Sequence, residues 1–108
     1  MVLFDLNAPE KQLSCKFTGR LDTSACLKIS DEINMKLSEI SEPGLETIRG
    51  YNIVFDLKGV NYIASSFIRI CVNTAKKSEK GKFSIINSDP FIKKTFKIAG
   101  LDDTLKVS

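Results

Sequence analysis

Residues 52–68 of the chain read NIVFDLKGVNYIASSFI, and this stretch decides the fold. Its first six residues form a short run rich in apolar and β-branched side chains, which is typical of an inner strand. Ser65 and Ser66 follow, and a helix is predicted to begin at one of them and to run to about Ser78. Its predicted inward side chains are Ile68, Cys71, Val72 and Ala75.

The residues before this unit predict a hairpin. Residues 12–18 alternate between apolar and polar side chains, which indicates a half-buried strand, and residues 2–6 form a weaker strand candidate. A turn at residues 7–9 joins them, so we expect an antiparallel pair at one edge of the sheet. Gly19 is predicted to end the second strand.

Residues 23–40 predict the first helix. Their apolar side chains recur at spacings of three and four, which gives the helix one apolar face. Asp22 or Thr23 is suited to cap its first turn. Residues 42–50 are expected to form a polar connection to the inner strand.

The last quarter of the chain predicts another strand at residues 82–87, a third helix through Ala99 and a final short strand at residues 104–107. The start and stop signals of that helix are Ser88 or Asp89, Pro90 and Gly100. Strands that alternate with helices imply right-handed crossovers. The predicted fold class is therefore α/β, with a mixed, largely parallel β-sheet flanked by α-helices.

Composition describes an ordinary globular protein. The chain has 108 residues, which suits a single domain over 1–108, and its 16 basic and 13 acidic residues are mixed along the sequence. This balance argues against nucleic-acid binding, and no apolar run approaches the roughly 20 residues of a membrane helix. Three cysteines without metal-like or redox-like spacing suit buried thiols in a reducing compartment, so we expect a cytoplasmic protein.

The chemistry-bearing residues are few. The chain has no histidine, so the commonest general base and the commonest metal ligand are both missing. Gly81-Lys82 ends no phosphate-binding loop, because Phe83 stands where a hydroxyl residue would hold magnesium. We therefore expect a binding protein without catalytic residues, metal or cofactor.

The two serines have two interpretations when the residues are taken alone. A serine at the start of a helix commonly accepts a hydrogen bond from a free backbone N–H, and such a cap contributes about 1 kcal/mol. In an open parallel sheet, functional residues also gather where a strand ends and a helix begins, so the two serines mark a candidate functional site as well.

Residues 52–68 resemble the signature of the STAS family, the anti-sigma-factor antagonists and their relatives. In that family a strand ending in Asp-Leu is followed by a loop and by an Asp-Ser-Ser-Gly-like turn that opens a helix. Three further segments resemble the family in the same order: residues 19–22 (GRLD), 82–87 and 98–102 (IAGLD).

The resemblance implies a regulated partner-binding surface around the second helix. The first serine of the turn, which is phosphorylated in the antagonists, falls on Ser65. The implied partner is an anti-sigma factor with serine kinase activity or a related ATPase, and the chain is expected to be monomeric when free. The residues expected at the partner-binding surface are Asn61, Tyr62, Ala64, Ser65, Ser66, Phe67 and Arg69.

The sequence departs from the family pattern at two positions. Ala64 stands where aspartate is usual, and Phe67 stands where glycine is usual. A large apolar side chain in the first turn has to be buried or offered to a partner. Two functions therefore remain open: a phospho-regulated antagonist, or a constitutive STAS scaffold or subunit, for example one docked on a transporter ATPase, in which Ser65 only caps the helix.

Overall fold

Four strands form one mixed sheet in the computed structural model, which describes residues 1–45 and 47–108. The strands lie in the order β1-β2-β3-β4; β1 and β2 pair antiparallel, and the other two pairs are parallel. The predicted α/β class, the edge hairpin and the largely parallel sheet are confirmed. The elements are β1 Val2–Asn7, β2 Gln12–Leu21, α1 Thr23–Ile40, β3 Asn52–Ile63, α2 Ser65–Lys77, β4 Phe83–Ile86 and α3 Pro90–Ile98.

Aromatic rings at the centre of the core fix α2 to the sheet. The rings of Phe17 on β2 and Phe55 on β3 meet edge to face, with centroids 4.9 Å apart. Phe67, in the first turn of α2, lies 5.0 Å from Phe17 and 6.1 Å from Phe55. Aromatic pairs in these arrangements add to the stability gained by burial. The start of α2 is therefore held against the sheet by the Phe67 ring, which is part of the core.

The two central strands are longer than predicted. Gly19 does not end β2, which continues to Leu21, and β3 continues beyond the predicted residue 57 to Ile63. The register between the strands shifts twice, and the backbone of Gly59 lies so close to β2 that a Cβ there would approach Cγ2 of Thr18 to 2.9 Å. The strands keep pairing through these bulges, so their ends reach the start of α2.

The flanking helices begin and end as predicted. The N–H of Ala25 donates to Oδ1 of Asp22 at 2.9 Å, which caps α1. The N–H of Ile92 donates to Oδ1 of Asp89 at 2.8 Å, which caps α3. Gly100, with a φ of 74°, ends α3 by donating its N–H to the carbonyl of Lys97.

The predicted final strand at residues 104–107 is wrong. These residues form turns, with Lys106 at a φ of 50°, and only Val107 pairs with Ile85. The predicted strand at 82–87 is shortened to Phe83–Ile86, because Asn87 adopts a positive φ of 58° that extended strands do not allow. A single bridge is therefore what remains of the fifth strand.

Candidate functional site

The end of β3 delivers the chain directly into α2. Ala64 is the N-cap residue, and its backbone is extended, with φ −90° and ψ 166°. Its N–H donates to the carbonyl of Leu21 at the end of β2, at 2.9 Å. The start of α2 is thus tied to β2 as well as to β3, and the position of the next residue, Ser65, is fixed by the sheet.

Neither serine caps α2, so that interpretation of the pair is wrong. Alanine occupies the N-cap position and offers no side-chain acceptor. Ser65 is the first helical residue and is exposed, whereas Oγ of Ser66 is buried without a hydrogen-bond partner among the described residues. No hydrogen bond of the described residues uses the backbone N–H of Ser65 or Ser66. The first turn of α2 therefore keeps donors that are free for an anion.

Phe67 lies wholly inside the protein. Its side chain is 0% exposed, and its ring meets Phe17 edge to face and lies tilted against Phe55. A large apolar side chain in this turn was expected to be either buried or exposed to a partner, and in the structure it is buried. In this conformation Phe67 offers no surface to a partner and instead supports the turn that carries Ser65.

Three of the other residues predicted to bind a partner, Asn61, Tyr62 and Arg69, form the exposed rim of the site, whereas Ala64 and Ser66 are half-buried. Asn61 and Arg69 are exposed, and Tyr62 is 39% exposed. The guanidinium carbon of Arg20 on β2 lies 3.9 Å from the centre of the Tyr62 ring, a cation–π contact. The first turn of α2 has no acidic residue. The site is thus a helix start without a side-chain cap, with Arg69 one turn further along α2 and Arg20 against Tyr62. Arg20 was not among the predicted residues.

A groove between α1 and α2 extends the surface beyond the predicted residues. Ser66 and Arg69 line it from α2, together with Asn73, and α1 contributes Thr23, Cys26, Leu27, Ser30 and Asp31. Leu27 is 72% exposed. The sequence could have indicated that Leu27 is exposed, because Leu27 lies outside the apolar face formed by the three- and four-residue spacing of α1.

The inner face of α2 is rotated by about one residue from the prediction. The buried residues are Phe67, Ile70, Cys71 and Thr74, while Ile68, Val72 and Ala75 are only partly buried. Of the predicted inward residues, Cys71 alone is fully buried. Phe67 accounts for the difference, because its ring turns toward the sheet and carries the positions three and four residues later inward with it.

The cysteines are buried and unpaired, as predicted. Burial raises the pKa of the Cys15 thiol to about 12, against a smaller lowering by Lys36. Burial also raises the pKa of Cys71 well above its ordinary value, and the neighbouring Cys26 adds to this. Both groups are therefore protonated at neutral pH, and a protonated thiol is a poor nucleophile.

Two further features concern the described residues, 1–45 and 47–108. No group of three or more His, Cys, Asp or Glu side chains there is placed to hold a metal ion. No helix in these ranges combines the length and the apolar character needed to cross a membrane.

Solved structures of anti-sigma factor antagonists share this fold. One from Mycobacterium paratuberculosis is 18% identical, with a TM-score of 0.77 over 99% of this chain and 83% of that one. An anti-sigma-factor antagonist (STAS) domain protein from Planctomyces limnophilus is 17% identical, with a TM-score of 0.78 over 99% and 87%. The Bacillus cell fate determinant SpoIIAA in its phosphorylated form is 14% identical, with a TM-score of 0.63 over 100% and 91%.

A comparison with curated proteins found no match. The family is shown by the sequence itself, because the family model of the STAS domain matches residues 7–108. This match includes all four segments that resemble the family: residues 19–22, 52–68, 82–87 and 98–102. The chain therefore belongs to the STAS domain family.

Proposed function

We propose that the chain is an anti-sigma-factor-antagonist-like regulator that binds a serine kinase of the anti-sigma type and is released when Ser65 is phosphorylated. The observation that carries this proposal is the start of α2. Ser65 is exposed there, the N–H groups of Ser65 and Ser66 have no partner among the described residues, and the N-cap residue supplies no acceptor. A phosphoryl group on Ser65 meets donors that are otherwise unused.

The charges around Ser65 favour the phosphorylated form of the domain. A phosphoserine carries about −1.5 to −2 charges at neutral pH, and a helix N-terminus stabilises negative charge nearby. Arg69 follows Ser65 by four residues, so the two side chains leave the helix on one face, a turn apart. The fold itself therefore tolerates the modification, as SpoIIAA, which has the same fold, does in its phosphorylated form.

The effect on a bound partner is the opposite. Transfer of the phosphoryl group joins Oγ of Ser65 to the γ-phosphorus of ATP, releases ADP and loses the hydroxyl proton. The new dianionic group must then be desolvated wherever a partner covers the turn, which costs free energy unless the partner supplies matching charge. Phosphorylation thus weakens the complex without unfolding the domain.

The surface that we assign to the partner consists of the exposed rim and the groove beside it. Asn61, Tyr62 and Arg69 are exposed within four residues of Ser65 in the sequence, and Leu27 lines the groove from α1 with an exposed apolar side chain. Tyrosine and arginine, which the rim supplies as Tyr62 and Arg69, are enriched among the residues that contribute most to binding between proteins. We assign no catalytic role to any residue, and we place the protein in the cytoplasm with its partner.

One observation favours a second candidate, a constitutive STAS scaffold or subunit such as one docked on a transporter ATPase. Ala64 leaves the turn without the carboxylate that is usual in the family pattern, so a kinase that reads this loop would find it altered. In that case the same surface binds its partner permanently and Ser65 is not modified.

Mass spectrometry after a kinase reaction separates the two candidates. The protein is incubated with Mg·ATP and a serine kinase of the anti-sigma type from the same genome, then digested with trypsin. Residues 59–69 form one tryptic peptide that contains both serines. We expect one phosphoryl group on Ser65, lost in Ser65→Ala and kept in Ser66→Ala. An unmodified peptide would favour the scaffold, and modification at Ser66 alone would contradict the assignment of Ser65.

A further inference from the structure

The outer edge of β1 carries unpaired backbone groups. β1 has one neighbour, β2, and Met1 and Thr18 exchange two backbone hydrogen bonds, of 3.2 and 3.0 Å. In an antiparallel pair such bonded residues alternate with unbonded ones. The register then makes Leu3 and Asp5 the next residues bonded to β2, so the N–H and C=O groups of Val2, Phe4 and Leu6 point away from it.

Among residues 1–45 and 47–108, no proline, bulge or covering segment protects this edge, and Asp5 is the one charged residue of the strand. The five residues 2–6 (VLFDL) include no proline, glycine or lysine, and both register shifts of the sheet lie between β2 and β3. Leu3 is 59% exposed and Leu6 is 40% exposed. Among the hydrogen bonds of residues 1–45 and 47–108, none from a loop or side chain reaches the outward groups of Val2, Phe4 or Leu6. An edge of this kind pairs readily with another strand.

We propose that the β1 edge binds a second copy of this chain, with the two β1 strands antiparallel and Phe4 opposite Phe4. Hydrogen-bonded pairs across the edge must join outward-facing residues, and only Val2, Phe4 and Leu6 face outward. The one register that uses all three sets Val2 opposite Leu6 of the second copy and Leu6 opposite its Val2. It is symmetric, as a closed dimer requires, and forms two backbone bonds at each of three pairs.

This register also places the side chains compatibly. Nζ of Lys36 lies 5.5 Å from the centre of the Phe4 ring, so α1 covers the face of the sheet on which Phe4 lies. Opposed residues of an antiparallel pair share a face, and both helical layers therefore lie on one side of an eight-stranded sheet. On the other face Leu3 is opposite Asp5 of the second copy, so the Asp5 carboxylates are not directly opposed.

The size of the contact sets its strength. One pair of six-residue strands buries less surface than the 1,200–2,000 Å² or so of a standard interface, so we expect a dissociation constant between about 1 μM and 1 mM. The protein is therefore expected to be monomeric at low concentration, which agrees with the monomer predicted from the sequence. This association does not depend on the proposed phospho-switch.

Disulfide trapping tests the register directly. Leu3→Cys and Asp5→Cys are prepared separately and then mixed under mild oxidation; the native cysteines are buried. Opposed residues of an unbonded pair have Cα atoms about 4.5 Å apart. The two Leu3 residues of the dimer, and likewise the two Asp5 residues, are diagonal neighbours that are offset by two positions along the strands. The distance between their Cα atoms therefore exceeds the roughly 7 Å that a disulfide spans. We expect disulfide-linked heterodimers in the mixture and little cross-linking in either variant alone. Equal rates in all three samples, or cross-linking only in the separate variants, would overturn the proposal.

Sedimentation velocity over a range of concentrations tests the hydrogen bonds. Leu6→Pro removes an outward N–H from each copy but no bond to β2, while Leu6→Ala keeps that N–H as the matched control. Loss of two bonds of about 1 kcal/mol each corresponds to an association about thirtyfold weaker. We expect this loss in Leu6→Pro and a much smaller one in Leu6→Ala. A wild-type protein that stays monomeric to millimolar concentration would overturn the proposal, and if Leu6→Pro does not fold, the cysteine pair alone decides.

Discussion

The helices of this domain are held at their first turns in two different ways. In α1 and α3 an aspartate outside the helix accepts a hydrogen bond from the third helical residue. In α2 the corresponding residue is Ala64, which accepts nothing through its side chain, and the third helical residue is Phe67, whose ring lies in the core. The starts of α1 and α3 are thus stabilised by side-chain caps. The start of α2 is instead held by the packing of Phe67 in the core, and the N–H groups of Ser65 and Ser66 stay unpaired among the described residues.

The difference teaches how a fixed helix start can still have free donors. A side-chain cap at α2 would place an acceptor oxygen beside the unpaired N–H groups of Ser65 and Ser66, where it would compete with an external anion. The buried ring of Phe67, together with the bond from Ala64 to Leu21, fixes the turn without using those groups. The turn is therefore held in place while the N–H groups of Ser65 and Ser66 remain available to an anion, as the proposed phosphorylation of Ser65 requires.

Removal of the Phe67 ring should have the largest effect on stability. Phe67→Ala leaves a cavity beside Phe17 and Phe55, and such a change typically costs about 3–5 kcal/mol of unfolding free energy. Phe67→Leu is the matched control, because it keeps most of the apolar volume and should cost clearly less. Urea unfolding of the three proteins measures both losses. A loss below about 1 kcal/mol in Phe67→Ala would show that the ring does not anchor α2.

Removal of the two capping aspartates should have an intermediate effect. Asp22→Ala and Asp89→Ala each break a hydrogen bond to a first-turn N–H, which should cost about 1 kcal/mol of unfolding free energy. Asp22→Asn and Asp89→Asn keep an acceptor and should cost less. If the alanine variants unfold at the wild-type denaturant concentration, capping does not distinguish α1 and α3 from α2.

Addition of a capping side chain to α2 should raise the unfolding free energy, whereas removal of the caps of α1 and α3 lowers it. The backbone of Ala64, with φ −90° and ψ 166°, resembles that of Asp89, with φ −67° and ψ 162°. The N–H of Phe67 now donates to the carbonyl of Ala64 at 3.0 Å. Ala64→Asp offers it a carboxylate as a second acceptor and should stabilise the domain by about 0.5–1 kcal/mol. Ala64→Leu, which adds a side chain without an acceptor, serves as the control. An equal change in stability for the two variants would argue against capping as the cause.

Ser65→Ala should have the smallest effect on stability. The Ser65 hydroxyl makes no hydrogen bond among the described residues, and it lies within the helix, where alanine is favoured. We expect the unfolding free energy to change by less than about 0.5 kcal/mol. A loss near 1 kcal/mol, measured in the same urea series, would mean that Ser65 does act as a cap.

The sequence predicted those parts of the fold whose signals are local. Periodicity and an aspartate before the first helical residue were enough to find α1 and α3, because a cap and an apolar face both lie within a few residues. The extension of β3 to Ile63 was missed because the resemblance places a loop directly after Asp56-Leu57. Its pairing with β2 persists through a bulge that depends on contacts between distant residues.

The candidate site was only partly predictable for the same reason. The place of Ser65 at the start of α2 followed from the pattern, but the identity of the N-cap depended on where β3 ended. Arg20 reaches Tyr62 only through the pairing of β2 with β3, and the depth of Phe67 depends on rings from two other strands. Sequence alone left Phe67 either buried or exposed, and long-range packing decided between them.

One titration tests most directly whether charge at Ser65 controls partner binding. Calorimetry compares the affinity of an anti-sigma serine kinase for wild type, for Ser65→Asp and for Ser38→Asp, which places the same charge at an exposed serine in the last turn of α1, away from the groove. We predict that Ser65→Asp stays folded but binds about tenfold more weakly or worse, since its charge must be desolvated at the interface. Ser38→Asp should bind like wild type. Wild-type affinity in Ser65→Asp would contradict the switch and leave the constitutive scaffold.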